Sequence, residues 1–92
     1  MGDKRARTVE VTVVSQQGTC AAGHTVGETF VIPGDTERFQ TPGICIHALI
    51  TMLPKVLALR YGAGFPWAKE GAVTHACPDA QNPCVFRLRA LD

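Results

Sequence analysis

The sequence predicts a small α+β domain: a short antiparallel sheet, in the element order β-β-α-β-β, packed on a kinked helix. Three observations predict it. Two segments, Arg7 to Val14 and Cys84 to Leu88, alternate apolar and polar residues with period two. One segment between Gly43 and Gly62 carries apolar residues at helical spacing. Clusters of Gly, Pro, Asn and Asp separate these runs, with no internal repeat and no linker, so the 92 residues read as a single domain. Its expected bounds are 7–92, after a flexible N-terminus at 1–6.

In the first strand Val9, Val11 and Val13 share one face and Thr8, Glu10 and Thr12 the other; Val14 breaks the alternation. Residues 15–27 hold three glycines, two glutamines, a cysteine and a histidine, the composition of a loop with functional potential. Glu28 to Ile32 is a second short strand ended by Pro33-Gly34, and the two strands are expected to pair antiparallel. Residues 34–43 are polar and turn-rich, and Thr41-Pro42-Gly43 leads into the helix. There Ile46, Leu49, Ile50 and Leu53 form one stripe, and Cys45, Leu49 and Met52 an adjoining one. Pro54 lacks an N–H and clashes one turn back, which predicts a break or kink and a second helical piece, Pro54 to Tyr61, closed by Gly62. Being apolar nearly all round, this region is expected to bury against more than one surface, another subunit included. Phe65-Pro66-Trp67 forms a turn. Ala72 to Ala76 is a third strand, 77–83 a turn-rich connection, and Cys84 to Leu88 a fourth strand. In that last strand Cys84, Phe86 and Leu88 face inward, and Arg87 and Arg89 outward.

Composition narrows the function classes. Nine Lys and Arg against eight Asp and Glu give a net charge of +1, without the basic excess of a nucleic-acid binder. An apolar fraction of 46% argues against disorder. The charged start leads into no apolar signal-peptide core, and Ala6 fails the myristoylation pattern. The most apolar stretch, Ile44 to Leu59, is interrupted by His47, Thr51, Pro54 and Lys55, and falls short of the about 20 residues a bilayer needs. The expectation is a cytoplasmic protein with neither membrane nor nucleic-acid partner. A core this small gains from a metal, a partner subunit or disulfides.

Four cysteines, Cys20, Cys45, Cys77 and Cys84, permit three disulfide connectivities, but a reducing cytosol points instead to metal binding, thiol chemistry or plain burial. Cys20 and His24 stand three residues apart in a loop. Cys45 falls at the start of the helix, where free N–H groups and the positive dipole end favour a thiolate. Cys77 closes a strand before Pro78. Cys84 belongs with the core. The set Cys20, His24, Cys45 and Cys77 suits a tetrahedral Zn or Fe ion. Two alternatives stand beside it: Cys45 and Cys77 as small buried hydrophobes, and a metal-free thiol site with Cys45 as nucleophile. On a regular helix His47 would point about 200° away from Cys45. His75 shares a strand face with Cys77 and is either a substitute ligand or an ordinary hydrogen-bonded histidine.

Other residues carry paired readings. Arg60 either complements the helix C-terminus or holds a small anion beside Trp67. Phe65-Pro66-Trp67 is either core packing or an aromatic anchor. Asp79 either closes a turn or orients a ligating histidine. Glu10, Glu28 and Glu37 form no paired-carboxylate arrangement, Ser15 sits in no nucleophile elbow, and Gly23 and Gly27 lack the context of a phosphate loop. The run Lys4 to Arg7 reads as a solvated terminus.

Several motifs together carry a resemblance. They are Cys20-x-x-Gly23-His24-x-x-Gly27-x-x-Phe30, Gly43-Ile44-Cys45, Leu53-Pro54, Leu59-Arg60-Tyr61-Gly62, Phe65-Pro66-Trp67, Ala76-Cys77-Pro78-Asp79 and Asn82-Pro83. Nearly the whole chain resembles a family of small uncharacterised bacterial and archaeal proteins of about this length. The resemblance implies cysteines at 20, 45 and 77 and an apolar residue where this chain has Cys84. It leaves His47 outside the pattern and implies no particular activity.

The leading expectation is thus a cytosolic domain with a metal- or thiol-bearing site built from Cys20, His24, Cys45 and Cys77, holding Zn or Fe in its metal form. The alternative is a non-enzymatic interaction or oligomerisation module, docking on itself or on a larger enzyme through the apolar helix and Phe65-Pro66-Trp67. A third is a small-molecule pocket near Arg60 and Cys45.

Overall fold

The computed structural model describes residues 6–38, 40 and 43–91. Most of the N-terminal segment and Thr41-Pro42 lie outside the described residues. Within them the chain forms β1 (Val9–Gln16), β2 (Thr29–Ile32), α1 (Ile46–Arg60), β3 (Ala72–Ala76) and β4 (Cys84–Ala90). The four strands make one antiparallel sheet in the order β2-β1-β4-β3, with the helix packed against one face, the α+β architecture expected from the pattern.

The alternation of β1 is an alternation of environments. Val9, Val11 and Val13 are buried and pack with Phe30 and Ile32 of β2, Val73 of β3, and Cys84, Phe86 and Leu88 of β4. Val14 breaks the pattern because it is the extra residue of a β-bulge: the register passes from Val13↔Phe86 to Ser15↔Val85, leaving Val14 without a partner on β4. A two-residue hairpin at Glu70-Gly71, both with positive φ, turns the chain into β3.

The expected break at Pro54 does not occur. One helix of 15 residues runs through it. Proline there removes the hydrogen bond to the Ile50 carbonyl, but Ile50 and Pro54 both lie on the solvent side, where water can satisfy that oxygen. The buried face comprises Ala48, Leu49, Met52, Val56, Leu59 and Arg60. The other face leaves Ile46, Ile50 and Leu57 exposed, each at least half accessible, and Tyr61 prolongs the row.

Arg60 is buried at the far end of α1 and is fully engaged. Its guanidinium donates to the carbonyls of Pro33 (2.6 Å) and Thr36 (2.8 Å) and to Glu37 (3.0 Å), and its Nε to the Tyr61 hydroxyl. It ties the loop after β2 to the helix and is not placed to hold an anion beside Trp67. The aromatic motif divides: Phe65 packs against the core, while Trp67 is 63% exposed, with ring centroids 5.3 Å apart. Among the described residues no helix is long and apolar enough to cross a membrane.

Candidate functional site

The site lies at one end of the sheet, where β1 and β3 finish and β4 and α1 begin. Three connections meet there. Cys20 comes from the loop between β1 and β2, Cys45 stands at the N-cap of α1, and Cys77 follows β3 directly. The three cysteines, with His47, Asp79 and Asn82, line one cavity of about 370 Å³.

Asn82 fastens two of these connections together. Its side-chain oxygen accepts the Thr19 N–H (3.0 Å), its amide donates to Asp79, and its carbonyl accepts from Gln16. The fit is close at Gly18, where a Cβ would collide with the Asn82 side chain and φ is +68°. Glycine is required there on both counts. Asp79 accepts the N–H groups of Gln81 and Asn82, and these bonds hold its carboxyl below the ordinary value. It closes a turn, the first of its two sequence readings. In the sequence Asn82 stands only as part of the Asn82-Pro83 motif and as a turn signal, and its long-range partner is visible only in the fold.

His24 does not join the cavity. It is buried beneath it, edge-on to Phe30 and Phe86 at centroid distances of 5.2 and 5.9 Å. The N–H of Cys45 donates to its Nε2 (3.0 Å), and Nδ1 lies 2.9 Å from the Glu28 carboxylate. An N–H donor requires an unprotonated Nε2, so the ring proton sits on Nδ1 and points at Glu28. That bond, more than any other influence, holds the Glu28 carboxyl below its usual value. Both ring nitrogens are thereby engaged, and His24 acts as a peg that fixes the backbone at Cys45. The four residues grouped from the sequence are therefore split, three at the cavity and one under it. Among the described residues no three His, Cys, Asp or Glu side chains are gathered around a point that could hold a metal ion.

The imidazole that does reach the cavity is His47, with Nδ1 3.8 Å from Cys45 Sγ. The separation expected of a regular helix fails because Cys45 is not helical: as N-cap it has φ −55° and ψ 131°, so its side chain leaves the helical spiral. His75 faces the helix and meets Thr51 Oγ1 at 2.9 Å instead of lining the cavity. A single pocket shared by Arg60 and Cys45 is likewise ruled out, since they sit at opposite ends of α1, roughly 22 Å apart along its axis.

The sulfurs differ in surroundings. Cys84 is buried, and its thiol is pushed up to about 11, first by burial and then by the charges of Cys20 and Cys77. Cys77 is half-buried, and its Sγ accepts the N–H of Cys84 at 3.2 Å. Cys20 and Cys45 are also half-buried. No family model, curated protein or solved structure matches the chain.

Proposed function

We propose that this protein is a thiol-bearing domain whose working site is the cavity at Cys20, Cys45 and Cys77, with Cys45 as the reacting sulfur. The supporting observation is that three cysteines from three separated segments line one recess. His47 stands beside Cys45 Sγ as the nearby base, and Cys45 is the N-cap of α1, at the positive end of the helix dipole. The ligand is a soft electrophile small enough for about 370 Å³. Three sulfurs and one imidazole are donors of the kind Zn or Fe takes, but they do not gather around one point among the described residues. A metal form would therefore require the three connections to draw together, with His47 in place of His24.

Oxygen-free purification, elemental analysis and timed alkylation with iodoacetamide test the reading. The expected result is less than roughly a tenth of an equivalent of transition metal, with Cys45 alkylated at least about tenfold faster than Cys84. Equal rates at all four cysteines overturn it. Close to one equivalent of Zn or Fe replaces it with the metal form.

A second reading, self-association, is favoured by the exposed ridge Ile46, Ile50, Leu57 and Tyr61. The two cations of α1 are turned away from this ridge, Lys55 to the Thr74 carbonyl and Arg60 to the loop after β2. An uncharged ridge of this kind suits a second copy of itself, because pairing buries no charge. Sedimentation at high concentration checks it: Ile50→Glu is expected to shift a dimer to monomer, and a wild-type chain monomeric throughout overturns it.

A further inference from the structure

Cys84, assigned to the core by its strand pattern, has a neighbour that the sequence does not reveal. The antiparallel register of β3 and β4 pairs His75 with Phe86 and Ala76 with Val85. One step further, Cys77 stands opposite Cys84. The Cys77 N–H donates to the Cys84 carbonyl at 2.9 Å, and the Cys84 N–H donates back to Cys77 Sγ at 3.2 Å. Both side chains take the helix-facing side, since Cys84 belongs to the core and Cys77 packs against it. Residues directly opposite in an antiparallel ladder have Cα atoms about 4.5–5.5 Å apart, inside the range of about 4.4–6.8 Å that a disulfide spans.

We propose that Cys77 and Cys84 are a redox pair that closes a cross-strand disulfide when a small-molecule disulfide enters the cavity. The Cys77 thiolate attacks one sulfur of the incoming disulfide. This forms a mixed disulfide and releases one thiolate. Cys84 then attacks Cys77 Sγ, gives its proton to a released thiolate, and expels the second half of the oxidant. The balance is two protein thiols and one small disulfide converted to one protein disulfide and two small thiols.

Access differs between the two sulfurs. Cys77 lines the cavity, whereas Cys84 is 1% exposed and does not line it. Burial keeps the Cys84 thiol protonated at neutral pH, so the second step is slow there and speeds up as the pH rises towards about 11. The inference rests on the thiol-site reading only in taking the cavity as the way in.

The test is incubation of the reduced full-length protein with oxidised glutathione, acid quenching, alkylation of the remaining thiols, and digestion with trypsin and then a protease that cleaves before Asp. Cleavage before Asp79 places Cys77 in fragment 70–78 and Cys84 in fragment 79–87, so only a bridge joins them. The expected outcome is that linked pair, with Cys20 and Cys45 alkylated, and a bridge-forming rate that rises nearly tenfold per pH unit between pH 7 and 9. Cys84→Val is expected to stop at a glutathione adduct on Cys77. A bridge from Cys84 to Cys20, or the persistence of four thiols in wild type while Cys84→Val also takes up no glutathione, overturns the proposal. Cys45→Ala keeps the two readings apart: it removes the fast alkylation assigned to the working site and leaves the bridge in place.

Discussion

His24 shows how one side chain can serve a site without entering it. Its Nε2 accepts the Cys45 N–H, and its Nδ1–H is held by Glu28. His24→Ala leaves a backbone donor without a partner and opens a void between Phe30 and Phe86. The expected loss is about 2–4 kcal/mol, measured by urea unfolding at pH 7. The sequence drew attention to His24 through its spacing from Cys20 but gave it the wrong partner. A histidine near a cysteine looks the same on paper whether its ring faces a cavity or two phenylalanines. His47 escapes a sequence reading for the opposite reason, because helical spacing does not hold for a residue pair whose first member is an N-cap.

His75 supplies a test in pH. Burial first, and the Lys55 charge second, hold its imidazole below the ordinary value of 6.5. The folded protein therefore binds a proton less readily than the unfolded chain. Stability is complete above about pH 6.5 and falls as the pH drops from there towards the depressed folded value. The carboxyls of Glu28 and Asp79 are also depressed, but they withdraw their contribution only below about pH 4.5. His75→Gln is expected to flatten the decline in urea midpoint between pH 7 and 5, and an unchanged slope refutes the assignment.

At the scale of elements, alternation and turn chemistry made the four strands legible, and even the lapse at Val14 marks a real bulge. The helix was legible in extent but not in continuity. Proline propensity is an argument about an unsupported helix, whereas α1 is held by the face containing Leu49, Met52 and Val56. Pro54→Ala restores the missing donor at an exposed position. It is expected to raise stability by about 1–2 kcal/mol, after allowance for the greater entropy of the unfolded chain. A rise in thermal midpoint checks it. Arg60→Met tests the other end of α1. It strips the Pro33 and Thr36 carbonyls of their donor and is expected to cost about 2–3 kcal/mol in urea unfolding. A greater susceptibility of residues 33–38 to proteolysis is expected with it.

For the whole molecule, the cavity is a product of topology. Cys20, Cys45 and Cys77 are each at least 25 residues from the next in the chain, and strand order and register bring them together. Their meeting was expected from the positions of the sulfurs at element ends. Which imidazole would accompany them, and that Cys84 would stand across from Cys77, depended on pairings no local pattern encodes. A fragment ending before β4 keeps Asn82 but has no strand for β3 to pair with and no partner for Cys77, so the Cys77 side of the recess waits for β4. Cys84 is consequently a built-in gauge of opening at this end of the sheet. In the reduced protein, a bulky maleimide can meet that sulfur only when its surroundings part, so its labelling rate counts those openings.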